Sequence, residues 1–456
     1  MKIQSYLIYT ILTGLTLSSC QFKPYKRPQM DTDDLYRDQI TAVLDDSASL
    51  ADINWSDFFS DPYLLQLIEK ALVNNADMRS AMLTIEQAEA MLRQSKGAFF
   101  PTFGIGANGN YTIGESHSTK TWNGALNASW EIDIFGKLLN SKRAAKASLM
   151  QSDAYKCAVQ TRLISNVAIL YYTLLTLDEQ LAITEATLSN WTESVKTMEL
   201  MMQAGMVNRA AVVQSSANRY GIETTLPDLK RQIRETENAL CVLLNRIPDT
   251  IERGRIEGQQ FTQMVTTGVP SLMLANRPDV KQAEAELMIA YAHTNIARSM
   301  FYPSIVISAN GGYSNSIFGA IVNPAQLIGS VAGGLTQPVF NGLALTTQLK
   351  VTKKEEEKAF IAFEKTLLNA GTEVSNALFQ YQTLDKKIES RGKQIEELEK
   401  SVSYTQELLK SGAANYLEVL TSQQALLSAQ IGQANDSFEK IQSVITLYAA
   451  LGGGSK

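Results

Sequence analysis

Apolar side chains recur along this chain in two rhythms, and each rhythm occurs twice. From Thr102 to Ile113, Phe103, Ile105, Ala107, Tyr111 and Ile113 alternate with Thr102, Gly104, Asn108, Asn110 and Thr112. From Ser304, Ile305, Ile307, Ala309 and Tyr313 alternate with Ser304, Ser308, Asn310 and Ser314. A period of two predicts strands with one apolar and one polar face. A partner follows each. Trp122, Leu126, Ala128, Trp130, Ile132 and Ile134 alternate with Thr121, Asn123, Asn127, Ser129 and Glu131. Leu327, Val331, Leu335 and Val339 form a weaker alternation with Gly and Ser. The pattern predicts β-hairpins over 101–135 and 303–340, with loops around 115–120 and 316–325.

After each hairpin the rhythm lengthens. Positions 174, 177, 181, 184, 188, 191, 195, 198 and 202 keep a strict 4-3 spacing and carry Leu, Leu, Leu, Thr, Leu, Trp, Val, Met and Met. Leu384, Ile388, Ile395, Leu398, Val402 and Leu409 repeat it. A sustained heptad seam predicts coiled-coil helices. No proline falls between Pro101 and Pro227 or after Pro338, and Gly136 and Gly342 mark the helix starts. A helix from about Ser141 to Ala204 would be ~96 Å long at ~1.5 Å per residue, which suits a tube better than a globule. Both helices end alike, at QAGMVNRAAVV and KSGAANYLEVL. Gly205 and Gly412 stand where a helix end favours the left-handed conformation, and Asn208 and Asn415 are placed to cap a returning helix. The returning helices run to about Leu244 and Leu451, with Pro227 expected to bend or break the first.

The two halves are copies. FFPTFGIGANGNY from Phe99 echoes FYPSIVISANGGY from Phe301, 202 positions later (301 − 99), and the echo runs without a gap from Asn74 and Asn276. By the helical seam the offset has grown to 207 (384 − 177), so the second half is longer by five residues. The domain reading follows: a first repeat over 62–268 and a second over 269–456. Each holds a helix, a hairpin and a long helical hairpin, over 137–246 and 342–451; an equatorial segment, 247–268, closes the first.

Composition narrows the function. Net charge is −5 with no basic block, which argues against nucleic acid as a partner. The three cysteines, Cys20, Cys157 and Cys241, have neither disulfide nor zinc spacing. Only two histidines occur, and HExxH, GxSxG and the P-loop are missing, so the chain is not read as an enzyme and no cofactor is expected. Met198, Met201, Met202 and Met206 lie at helical spacing near the first turn. Thioethers can bind Cu(I), but methionine also fills irregular helix contacts, and packing is the reading taken; no metal site is assigned.

MKIQSYLIYTILTGLTLSSC reads as a signal peptide over 1–19, followed by a linker over 20–61. Its Leu-Ser-Ser-Cys ending resembles a bacterial lipobox, which makes Cys20 the lipidated first residue of the mature chain; that covalent lipid is the one non-protein group expected. No later stretch offers about 18 consecutive apolar residues. The alternating hairpins offer another route into a membrane. Their length, their terminal aromatics and their single apolar face match transmembrane β-strands, and equally a half-buried soluble sheet. Four strands cannot close a barrel, and an open edge is not tolerated in lipid. On the membrane reading, several copies must therefore share one barrel.

Along nearly the whole mature chain the residues resemble one family, the TolC-like outer-membrane factors of tripartite export pumps, and within it the lipid-anchored NodT-like branch. WSDFFSDPYLLQLIEKALVNNADM from Trp55, WEIDIFGK from Trp130, LTQPVFNG from Leu335 and, most specifically, VPSLMLANRPDVKQAEAEL from Val269 carry the likeness. Ala275 and Asn276 depart from it, standing before Arg277 where an Arg pair is commoner.

The resemblance implies an internally duplicated α+β membrane protein. Three chains would form a homotrimer with a twelve-stranded barrel, four strands from each, on a coiled-coil periplasmic tunnel with an equatorial belt. It implies an efflux duct working with a periplasmic adaptor and an inner-membrane resistance-nodulation-division pump, in contact with outer-membrane lipid. The two turns become adaptor-contact tips: Gly205, Met206, Val207 and Asn208, and Gly412, Ala413, Ala414 and Asn415. Aligned with the family's gate, Glu418 and Thr421 line the periplasmic end; the first repeat has Ala211 at the place of Glu418. Alternatives on the same residues are a duct for protein secretion, a copper or silver efflux duct, and a periplasmic coiled-coil adaptor without a channel.

Overall fold

The computed structural model describes residues 24–28, 53–113, 118–256, 277–315 and 327–455. The signal segment, Cys20, the motif residues 269–276 and the hairpin tips 114–117 and 316–326 lie outside the described residues. Helices α1 (Trp55–Phe58), α2 (Pro62–Asn74) and α3 (Ala76–Gly97) lead to strands β1 (Thr102–Ile113) and β2 (Ser118–Ile132). The long α4 (Lys137–Gln203) turns into α5 (Arg209–Glu223) and α6 (Thr225–Leu243). The second half repeats the order: α7 (Pro278–Ser299), β3 (Ser304–Asn315), β4 (Leu327–Thr336), α8 (Ala344–Lys410) and α9 (Tyr416–Ala450).

The duplication is visible in the element bounds. α3 and α7 both have 22 residues and start 202 positions apart (278 − 76). α4 and α8 both have 67 residues, 207 apart (344 − 137). Strand register locates the five extra residues. Thr102 faces Ser129, and Ser304 faces Thr336. The first strands of the two hairpins are thus offset by 202 and the second by 207 (336 − 129), so the added length lies between the strands of the second hairpin. β2 begins at Ser118, so Ser118–Lys120 belong to the strand and not to the predicted loop.

The helix ends follow the predicted chemistry. Gly205 and Gly412 have φ of 74° and 71°, which glycine adopts without a Cβ penalty. Each closes a Schellman motif. The Gly205 amide donates to the Met202 carbonyl at 3.0 Å and the Met206 amide to the Met201 carbonyl at 2.9 Å. The Gly412 and Ala413 amides do the same to Leu409 and Leu408, at 3.1 and 2.8 Å. Asn208 caps α5 by accepting from the Ala211 amide at 3.0 Å, and Asn415 caps α9 by accepting from Leu417 at 3.2 Å. The first returning helix is interrupted at Thr224, three residues before Pro227. Proline is tolerated in a first helical turn, where its missing N–H would be unpaired anyway, so the interruption falls upstream of it. The hydroxyls of Thr224 and Thr225 donate to the Gly221 and Ile222 carbonyls near the interruption, both at 2.7 Å.

Backbone contacts divide the chain into two compact units that cut across the repeats. One comprises Leu83–Ala154 and Lys281–Thr366 with the described residues of Met1–Met30; the other comprises Tyr155–Val280 and Leu367–Lys456 with those of Asp31–Met82. The first contains the sheet. The second contains the largest core, built on Leu64, Ile68, Val167, Tyr171, Leu174, Leu240, Ile445 and Tyr448. Three distant stretches meet there. Tyr171 donates to Asp61 at 2.7 Å and accepts from the Gly254 amide at 3.1 Å, while Tyr448 donates to the Ile53 carbonyl at 2.9 Å. Burial, more than any neighbouring charge, pushes the Tyr171 phenol well above its ordinary value. The terminal glycines fold over Tyr448, and a Cβ on Gly453 would collide with its ring.

Candidate functional site

Two surfaces carry the chemistry, one in each unit. In the first unit the strands form one antiparallel sheet in the order β1-β2-β3-β4. Residues directly opposite in such a sheet share a face. The register sets Phe103 opposite Ala128, Ile105 opposite Leu126, Trp130 opposite Ile307, Ala309 opposite Val331 and Ile305 opposite Leu335. All these pairs share one face. The other face carries Asn127 opposite Asn310, Asn108 opposite Asn123, and Ser308. Asn108 and Asn310 therefore sit on the polar face, and Gly109 and Gly311, one step along, on the apolar one. The apolar face is bare in the single chain: Phe103 is 81%, Ile105 86% and Val331 79% exposed. β1 and β4 are edges with no further strand beside them among the described residues.

The sheet is pinned to the helices by one device used twice. The Trp130 indole N–H donates to the Phe99 carbonyl at 2.9 Å. At the equivalent place, 207 positions on, the Gln337 amide donates to the Phe301 carbonyl at 2.9 Å. Between these joints the Phe135 and Tyr302 rings stack with centroids 4.9 Å apart. No helix among the described residues is long and apolar enough to cross a membrane.

In the second unit the two turns expose the predicted tip residues. Gly205, Met206, Asn208, Gly412, Ala413 and Asn415 are exposed; Val207 and Ala414 are half-buried. Beneath them Trp191, Met198, Val212, Tyr416, Val419 and Leu420 form a buried cluster that joins the two helical hairpins. The Tyr416 hydroxyl, at the start of α9, is bonded to the Ser215 hydroxyl on α5. The seam positions point inward as predicted: Leu174, Leu177, Thr184, Trp191 and Met198 are buried. The methionines divide. Met198 belongs to the buried cluster, Met201 and Met202 pack against it, and Met206 is exposed at the turn.

Glu418 and Thr421 are both exposed, on the side of α9 opposite Val419 and Leu420. Glu418 stands in the first turn of α9, where a negative charge is favoured by the helix dipole. The Thr421 hydroxyl is spent on the Leu417 carbonyl at 2.8 Å. Ala211 is half-buried, so the two repeats differ here in burial as well as charge.

The α8–α9 hairpin has a feature that the heptad pattern gave no sign of. Asp436 is nearly buried and accepts from Lys387 at 2.6 Å and Arg391 at 2.9 Å, and Lys440 pairs with Asp385. Burial alone would raise the Asp436 carboxyl, but the two cations outweigh it and hold it below its ordinary value. The first repeat has Gln180 and Thr184 where Lys387 and Arg391 stand (offset 207). A second network holds the segment after α6. Arg253 donates to Asp178 and to Glu237, the latter at 2.6 Å. No local motif marks these partners, because they are brought together only by the fold.

The outer membrane efflux protein family profile matches residues 67–246 and 269–453, one copy in each repeat. The chain belongs to that family. As an outer membrane efflux protein it has full-length relatives. It is 29% identical over 449 residues to the cation efflux system protein CusC of Escherichia coli O6:H1, covering 97% of each chain. It is 30% identical over 407 residues to the solvent efflux pump outer membrane protein SrpC of Pseudomonas putida, covering 87% of each. Among solved structures, a crystal structure of CusC superposes with a TM-score of 0.87 at 26% identity, over 94% of this chain and 99% of the other. The chain is an outer-membrane efflux channel protein with a periplasmic extension.

Proposed function

We propose that three copies of this chain form a sealed exit duct through the outer membrane, each supplying four strands of a twelve-stranded barrel. One observation carries the reading: a four-stranded sheet whose exposed Phe103, Ile105 and Val331 share one face, with β1 and β4 as unpaired edges among the described residues. Such a sheet is stable in lipid only when its edges are closed by other strands, and bacterial barrels begin at about eight. The polar face then lines the lumen. The long helical hairpins continue the duct as a tunnel, and their turns meet the tips of a periplasmic adaptor that links the duct to an inner-membrane pump. Small molecules expelled by that pump are the cargo. Cys20 carries the lipid anchor.

The purified protein in planar lipid bilayers tests the duct. Discrete single-channel openings are expected, and a deletion strain should regain drug resistance on complementation. A protein that never conducts would overturn the reading. A cation cargo is a second reading, favoured by the likeness to a cation efflux system protein. Sensitivity of the deletion strain to copper or silver, without drug sensitivity, would select it.

A further inference from the structure

In the first unit, residues 24–28 lie against α7 and α8 and help enclose a cleft of about 410 Å³. Three basic side chains line it, Lys26, Arg298 and Lys353, together with two carboxylates, Glu356 and Glu357. Leu287 and Phe360 form its apolar wall. Arg298 is held by Asn295 at 2.9 Å, and Glu357 is paired with Lys354. Glu356 has no ion-pair partner among the described residues. The Tyr25 hydroxyl is buried without a hydrogen-bond partner, an arrangement that costs free energy unless something else fills it. Tyr25 itself is fixed by the Tyr291 ring, 5.8 Å away and edge-on, and Arg27 by Glu284 at 3.4 Å. Burial, followed by the nearby Glu284 charge, pushes the Tyr25 phenol up to about 12, so it remains a donor.

The cleft sits beside the sheet. Arg298 is in the last turn of α7, six residues before β3 begins at Ser304. Thr294, one turn earlier, donates to the Thr352 carbonyl on α8 at 3.2 Å, which sets Lys353 against the same place. Tyr25 is five residues from Cys20, at most ~18 Å along an extended chain. Basic side chains recur here in both repeats: Lys96 stands for Arg298 (offset 202), and Arg143 and Lys146 stand for Lys350 and Lys353 (offset 207). The carboxylates do not recur. Leu149 and Met150 occupy the places of Glu356 and Glu357.

Three cations beside a sheet proposed to face lipid suit a phosphate. Carboxylates in the same cleft would repel a purely anionic headgroup but would hold an ammonium. We propose that this cleft binds the headgroup of a zwitterionic aminophospholipid, of the phosphatidylethanolamine type, from the periplasmic leaflet. Lys26, Arg298 and Lys353 take the phosphate. Glu356 takes the ammonium. Leu287 and Phe360 line the first methylenes of an acyl chain. The inference rests on the sheet lying in the membrane, as proposed above.

The test uses the full-length protein in detergent, titrated with phosphatidylethanolamine, phosphatidylglycerol or phosphatidylcholine and read by native mass spectrometry as lipid adducts per assembly. Wild type should retain phosphatidylethanolamine over both others, because phosphatidylglycerol lacks the ammonium and the choline group cannot donate to Glu356. Arg298→Ala with Lys353→Ala should lower its occupancy by at least about tenfold, the scale of losing charge-assisted contacts. Glu356→Gln should abolish the preference over phosphatidylglycerol while keeping the assembly and its helix content. Inorganic phosphate should not displace the lipid. Equal adducts in wild type and the double variant, or a preference for phosphatidylglycerol in wild type, would overturn the proposal. A conducting protein without the lipid preference defeats this inference alone, whereas a protein that never conducts defeats the duct reading.

Discussion

Arg277 is the residue whose loss should be felt most widely in the second unit. Its side chain is 7% exposed and makes four contacts. It forks onto Asp279 at 3.0 and 2.7 Å, reaches Glu373 on α8 at 2.7 Å, and donates to the Ala450 carbonyl at 2.6 Å, closing the end of α9. The four do not count equally. Asp279 and Glu373 are 45% and 56% exposed, so water replaces much of what they lose and each is worth under ~1 kcal/mol. The bond to the Ala450 carbonyl matters more, because a buried acceptor left without a donor costs ~1–3 kcal/mol. Arg277→Met, similar in length, should therefore destabilise the unit by about 2–4 kcal/mol. For a cooperative unit of a few hundred residues that is a fall of roughly 5–10 °C in Tm. Thermal unfolding followed by tryptophan fluorescence, in one detergent and at one scan rate, measures it; fixing the rate matters because such unfolding is often irreversible. Arg277→Lys should fall between, since one ammonium cannot serve both the fork and the carbonyl. Glu373→Gln should cost less than ~1 kcal/mol. A melting temperature for Arg277→Met within about 1 °C of wild type, or an equal loss in Glu373→Gln, would refute the claim that the Ala450 bond dominates.

Asp436 gives a pH-dependent counterpart. Its folded-state pKa is depressed, so its contribution is full above the ordinary aspartate value of ~3.9 and is lost as pH falls through the folded value; Asp436→Asn should melt earlier than wild type at neutral pH, with the difference shrinking below about pH 4. Gly412→Trp should leave the purified oligomer intact but impair export, because a bulky group at an exposed turn obstructs a docking partner; export that survives bulky changes at both Gly412 and Gly205 would place docking elsewhere. Glu418→Gln should lose most of any divalent-cation block of the single-channel current, at a stability cost of only ~0.3–1 kcal/mol from the helix dipole; equal block in both proteins would remove Glu418 from the gate. Intact mass of the mature protein should show residues 1–19 removed and Cys20 acylated, and an unmodified Cys20 would contradict the anchor.

Local chemistry is readable where it is periodic or tied to one residue. The strands follow from alternation, the α4 and α8 seams from heptads, and the turns from Gly205, Gly412, Asn208 and Asn415, whose roles depend only on near neighbours. The register is less accessible. Its five-residue discrepancy falls between β3 and β4, and only strand pairing shows where the offset changes. Pro227 announces an interruption but not its place, since proline is tolerated inside the next helix's first turn. The contacts of Arg277 with Ala450, Asp61 with Tyr171, and Asp436 with Arg391 join residues far apart in the chain, and no spacing rule connects them. Glu418 and most of the tip residues do lie on exposed surface at the turns, but exposure in one chain does not distinguish a gate or a docking face from a solvated helix end.

Disulfide trapping tests the shared barrel most directly. Cysteines introduced singly along edge β1, between Phe103 and Ile113, are combined with cysteines along edge β4, between Ser330 and Leu335, in a chain whose native cysteines other than Cys20 are replaced. Oxidised membranes are then resolved on denaturing gels. If the two edges meet between copies, specific β1–β4 pairs should cross-link in a ladder that stops at three chains. A failure of every pair to link, or a ladder running past three, would contradict a closed barrel of three copies.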